Sequence, residues 1–133
     1  MDVKYKNMLP QWESRFFDTR EYLGFVYMIK NIKTGRFYIG QKKLWKSPKP
    51  PICYKKRKVK PSDWKSYWSS CNDLNKELEK NGTKDFERTI ISVHKNKWDM
   101  SYRELIEQIN HRVLDKDTNT YNKYIGCRLR KRR

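Results

Sequence analysis

Lys55-Lys56-Arg57-Lys58 stands among Trp45, Tyr54, Trp64, Tyr67 and Trp68, so that cations and aromatic rings are interleaved. Cations neutralise phosphates and rings offer a face on which bases or sugars stack, so this pairing points to nucleic acid. A basic run that is only a solvated loop needs no such rings. The charge is also concentrated. Residues 41–70 hold ten Lys and Arg against one acidic residue, +9, and residues 128–133 a further +5, out of a net +17 on 133 residues. That exceeds what solubility asks of a chain whose length fits one domain, and it fits a polyanionic partner. An anionic membrane surface would call for an amphipathic helix or a lipidation signal, and neither is present. The chain shows no secretory apolar core and no run of spanning length, so a cytoplasmic location is expected. Cys53, Cys71 and Cys127 are odd in number and lack CxxC pairing, while His94 and His111 are not spaced with them as a zinc module requires. A disulfide framework and a structural zinc are therefore disfavoured.

These side chains need a scaffold, and Gly24–Gly40 supplies its centre. Phe25, Tyr27 and Ile29 alternate with Val26 and Met28, Arg36-Phe37-Tyr38-Ile39 continues the strand-like composition, and Asn31–Gly35 is a hairpin-length connection in which Gly35 can take a positive φ. Gln41–Ser62 contains Pro48, Pro50, Pro51 and Pro61 and reads as a long basic loop, with a helical turn near Lys42–Trp45. Ser62 or Asp63 caps a helical turn over Trp64–Trp68. A helix is predicted from Asn72 or Asp73 to Lys80, with Leu74 and Leu78 on one face and Asn81-Gly82 as its stop. Phe86–His94 is predicted as the third strand, pairing with the hairpin. Ser101 and Glu104 form an S-x-x-E capping box for a helix to about Leu114 that buries Leu105, Ile106, Ile109 and Val113. The expected fold is α+β, a small three-stranded antiparallel sheet flanked by helices. Residues 1–20 form an N-terminal arm ending against the hairpin, 21–127 the domain with basic loop 41–62, and 128–133 a mobile basic tail.

Phe25-Val26-Tyr27 followed eleven positions on by Tyr38-Ile39-Gly40 resembles the signature of the GIY-YIG endonucleases, with Phe25 where the name-giving glycine would stand and Gly24 one place early. Tyr67-Trp68-Ser69-Ser70, Lys80-Asn81-Gly82 and Phe86-Glu87-Arg88-Thr89-Ile90-Ile91 follow in the order seen in free-standing enzymes of large tailed phages. The resemblance implies a nuclease fold and a site. Tyr27 would be the general base and Tyr38 the residue that orients phosphate or water. A phenol, ordinarily near pKa ~10, can do this only in a strongly positive site. The family's transition-state arginine falls on Arg57 in preference to Lys65. Its single metal ligand falls on Glu104, within Ser101-Tyr102-Arg103-Glu104, with Glu107 in reserve and the capping role of Glu104 as the competing reading. One Mg²⁺ is implied, and Asn122 of Tyr121-Asn122 would fix the geometry. DNA contacts are assigned to Lys42, Lys43, Lys55, Lys56, Arg57, Lys58, Trp64, Lys65, Arg130 and Arg132. The function implied is Mg²⁺-dependent hydrolysis of DNA phosphodiester bonds by a phage-encoded enzyme of the host cytoplasm, with low or partner-supplied sequence specificity. A protein partner or homodimer stays open. A non-catalytic nucleic-acid-binding protein on the same scaffold is the alternative, and an RNA-associated basic protein a third.

Overall fold

The computed structural model describes residues 12–13, 18–55, 58–126 and 128–131. Its centre is β2 (Gly24–Asn31), paired antiparallel with β3 (Phe37–Lys43) on one side and with β4 (Phe86–His94) on the other. The turn between β2 and β3 is built as the composition predicts. The Asn31 side-chain oxygen accepts from the amides of Lys33 and Thr34, and Gly35 adopts φ +78°. A fourth strand, β1 (Trp12–Glu13), lies parallel to β4, giving the order β1-β4-β2-β3. The described part of the N-terminal arm thus pairs through its backbone with β4, while the Trp12 ring packs on Phe25 and Tyr27 of the hairpin.

Each face of the sheet has its own cover. On one, Phe25, Tyr27, Ile29 and Ile90 are buried under Trp12, Leu44, Trp64 and Leu74 of α1 (Asn72–Asn81). On the other, Val26 and Ile39 pack with Leu23, Val113 and Met100 of α2 (Lys97–Asn110). Burial of such side chains is worth about 2 kcal/mol each, so both halves contribute to stability. Gly24 permits the second contact, because a Cβ there would lie 2.6 Å from the Met100 sulfur and 2.5 Å from the Lys42 carbonyl oxygen.

Strand β4 and helix α1 occupy the predicted spans, and Gly82 at φ +75° ends α1. Two expectations are corrected, and a third, the turn at Trp64–Trp68 with its Ser62 cap, is met over a shorter span. Lys42 and Lys43 extend β3 and form no helical turn. Trp64–Trp68 is a turn closed by Ser66 N to Asp63 O (3.2 Å) and Tyr67 N to Trp64 O (3.3 Å), entered through the Ser62 hydroxyl, which accepts from Trp64 N. Helix α2 begins four residues before Ser101. Asn96 is its cap, with reciprocal bonds to Asp99 N and from its amide to the Asp99 carboxylate, both 2.9 Å. Asn96-x-x-Asp99 outcompetes Ser101-x-x-Glu104 because the earlier start lets Met100 reach the sheet. Ile109 consequently faces solvent at 57 % exposure, while Gln108 is buried.

Candidate active site

Tyr27 sits beside a break in the β2–β4 register, where Val26 faces Ser92, Tyr27 faces Ile90, and Ile91 is the extra residue. Its ring crosses β3 over Gly40. A Cβ on Gly40 would lie 2.6 Å from the Tyr27 hydroxyl and 2.8 Å from the ring, which is the local reason for glycine in Tyr38-Ile39-Gly40. Tyr38 and Tyr67 complete a cluster, each with its centroid 6.2 Å from that of Tyr27. Burial holds the Tyr27 phenol well above its ordinary pKa, and the neighbouring Tyr67 and Tyr38 phenols and Glu104 add to the rise. Tyr38 is raised too, chiefly by burial, with a hydrogen bond from Ser70 opposing it.

Glu104 reaches the same place from the opposite face. Side chains alternate along β3, so Tyr38 and Gly40 lie on the Tyr27 side and Ile39 and Gln41 on the α2 side. Gln41 Nε2 donates to Glu104 Oε1 at 2.9 Å and to the Ser101 hydroxyl at 3.3 Å, and Lys97 donates to the Gln41 amide oxygen at 3.1 Å. With Asn96 capping α2, Glu104 is released from the capping box. Its carboxyl is held above the usual carboxylate range by burial, against the lowering effects of Gln41 and then Lys97. Glu107, one turn on, is committed to Arg103, whose Nε lies 2.7 Å from Glu107 Oε2. Two cavities meet at Glu104, one of about 350 Å³ shared with Tyr38, Ser70, Asn122 and Tyr124, and one of about 690 Å³ shared with Gln41, Lys97 and Arg128. Among the described residues no group of three or more His, Cys, Asp or Glu gathers. The donor set is one carboxylate bordering open space, which suits a hard cation that keeps waters and takes phosphate oxygens.

Asn122 acts on the backbone. Its Oδ1 accepts from Ile39 N and its Nδ2 donates to Ile39 O, both at 3.0 Å, so the amide pairs with the exposed edge of β3 as another strand would. Gln108 Nε2 donates to the same carbonyl at 3.3 Å.

Among the described residues Lys42 brings a cation to the tyrosine cluster, its Nζ 4.1 Å from the Tyr67 ring centroid and 2.6 Å from Asp63, whose pKa it lowers. Arg57, together with Lys56 and Arg132, lies outside the described residues. Lys65 is exposed on the turn, 5.9 Å from the Trp64 ring. Lys43 is half-buried, and Lys55, Lys58 and Arg130 are exposed. Trp64 is not available to DNA. Its ring is 3 % exposed and packs on Phe25 at 5.9 Å, because the sheet face needs a cover that no helix supplies there. Trp68 is likewise engaged, stacking on Arg88 at 3.9 Å opposite Trp12 at 4.5 Å. Arg88, buried between those indoles, donates to the carbonyls of Tyr67 (2.6 Å) and Lys65 (3.4 Å) and so ties the turn to β4. Desolvation lowers its pKa to about 10. Gln41 and Arg88 are the residues to which sequence reasoning gave no role at the site, while it gave Lys42 only a DNA contact and Tyr67 only a place among the interleaved rings. Tyr67 and Arg88 lay within recognised motifs, and Gln41 and Lys42 directly follow Gly40.

A sheet whose hairpin tyrosines meet a glutamate from the helix after the third strand defines a nuclease domain of the GIY-YIG class. The family model described as "Putative endonuclease segE, GIY-YIG domain" matches residues 10–126, and the chain belongs to that family. No curated protein and no solved structure matches it. Among the described residues no helix is long and apolar enough to cross a membrane.

Proposed function

We propose that this chain is a Mg²⁺-dependent endonuclease that hydrolyses DNA phosphodiester bonds, of phage type and with low or partner-supplied sequence specificity. The observation that carries the reading is the meeting of Tyr27, Tyr38 and Glu104 at the edge of β3, beside the most basic segment of the chain. Glu104 is the residue to hold the cation, which supplies counter-charge to the phosphate under attack. Tyr38 orients water or phosphate through a hydroxyl steadied by Ser70. Tyr27 rests protonated. Its use as a base requires nearby positive charge to offset the burial that chiefly raises its pKa, with the Tyr67 and Tyr38 phenols and Glu104 as smaller causes. Lys42 adds positive field at the cluster, and Asn122 fixes the β3 backbone that carries Tyr38. Arg57 is retained as the transition-state arginine and Lys65 as its substitute.

The near-complete burial of Tyr27 is the observation that favours the second reading, a non-catalytic nucleic-acid-binding protein. Supercoiled plasmid incubated with Mg²⁺ separates the two. Nicked or linear product that disappears with Glu104→Ala and with chelator is expected of the enzyme. Intact plasmid alongside retained binding in a gel shift would leave only the binding protein.

A further inference from the structure

The chain after Asn122 is tied at two points. Asn122 is fixed to Ile39, and eight residues on, the Arg130 carbonyl accepts a 2.8 Å hydrogen bond from the Trp98 indole of α2. Trp98 is itself packed on Tyr102, centroids 4.9 Å apart. Over its described residues 128–131 the tail expected to be mobile lies along α2, as Gly126 does, and we call these described segments the strap. Gly126 of that strap borders both of the cavities that meet at Glu104.

On the strap, Tyr124 is 78 % exposed, more than any other large apolar side chain among the described residues. It lines the cavity that also holds Tyr38, Glu104 and Asn122. Core packing does not account for such a ring, and its close neighbour is the small Gly126, whose Cβ would lie 3.8 Å from it. Arg128 is exposed farther along the strap and borders the second cavity, while Lys123 is engaged with Asp73 at 2.7 Å. A π-face at the cavity mouth and a cation on the described part of the same strap are the two elements that sequence-tolerant single-strand binding uses.

We propose that Tyr124 is the stacking platform for an unpaired base next to the phosphate at Glu104, and that the segments 122–126 and 128–130 form the second wall of a cleft for locally single-stranded DNA. Base faces inside a duplex are covered by their neighbours, so a ring at this position can stack only on a base that has left the helix or never had a partner. This rests on the nucleic-acid reading of the cleft and not on cleavage.

The test uses the full chain carrying Glu104→Gln, so that substrate is held uncut. Oligonucleotides with 2-aminopurine are presented single-stranded, in a gapped duplex and in a continuous duplex. Fluorescence quenching on the first two and tighter binding of them than of the duplex are expected. Adding Tyr124→Ala should abolish the quenching and weaken binding of those two by about 5- to 150-fold, the equivalent of 1–3 kcal/mol for one stacked base. Tyr124→Trp and Tyr124→Phe should keep both. Unchanged affinity in Tyr124→Ala would overturn the proposal, as would equal quenching on continuous duplex. Loss in Tyr124→Phe equal to that in Tyr124→Ala would assign the effect to the hydroxyl and overturn stacking. A protein that never cuts DNA can still meet these expectations, and one that cuts can fail them, so the two readings are tested separately.

Discussion

Glu77 and Glu104 are both carboxylates near tyrosines, and their surroundings differ. Glu77 receives the Tyr121 hydroxyl at 2.8 Å, the Asn31 amide at 3.4 Å and the Arg36 guanidinium at 3.5 Å, with Arg36 also stacked on Tyr121 at 4.1 Å. That node joins α1, the hairpin turn and the segment before Asn122, and burial and Glu77 together push the Tyr121 phenol up to about 12. Glu104 receives one neutral amide, is raised toward its protonated form by burial, and borders two cavities. A carboxylate with a guanidinium and two further donors has most of its acceptor capacity taken and serves structure. One with a single amide partner and open space beside it keeps capacity for a ligand.

The largest effect is expected where that contrast is sharpest. Glu104→Gln should lower cleavage by about 10³-fold or more while leaving DNA affinity in place, since no phosphate contact is lost. Glu77→Gln should do the reverse, costing about 2 kcal/mol in denaturant titration with near-normal turnover per folded molecule. Equal loss of cleavage at equal stability in the two variants would erase the distinction. Next in size, Tyr27→Phe and Tyr38→Phe remove a hydroxyl each and should cut turnover by roughly 10²-fold with the fold retained. Wild-type rates in both would remove the tyrosines from the chemistry.

The smallest effect is a displacement of the acid limb of the pH–rate profile. Because Glu104 is raised, proton competition with the cation should begin above the usual carboxylate range and cleavage should fall as pH drops through it. Gln41→Ala removes the hydrogen bond that lowers this pKa, so the limb should move further up. A limb that moves down would contradict the assignment. Without cation the same shift makes the folded state lose stability as pH rises from the ordinary carboxylate value to the raised one, the direction opposite to that at Asp63.

Local signals carried much of this architecture. Phe86–His94 and Asn72–Asn81 could be read because alternation, i/i+4 leucines and an Asn-Gly stop are written in adjacent residues. The motif resemblance led to Tyr27, Tyr38, Glu104 and Asn122 by position. What could not be read is what depends on distant partners. Trp64 looked like a base-stacking ring because cations surround it in sequence, yet its neighbours in space are Phe25 and the indole of Trp12, which donates to the Trp64 carbonyl. The start of α2 was misplaced since two capping patterns lie five residues apart, and only the burial of Met100 decides between them. Gln41 has no local mark at all. Its role arises from β3 continuing past Gly40 to the level of α2.

The pairing of Asn122 with Ile39 spans 83 positions and so orders events during synthesis. The hairpin is complete by residue 43, but the outer edge of β3 keeps its backbone groups open until residue 122 has been made. Translation at about 5–20 residues per second leaves that edge uncovered for roughly 4 to 16 seconds. A nascent chain therefore holds both signature tyrosines long before it holds a finished site, and premature release short of Asn122 yields a hairpin without its closing amide.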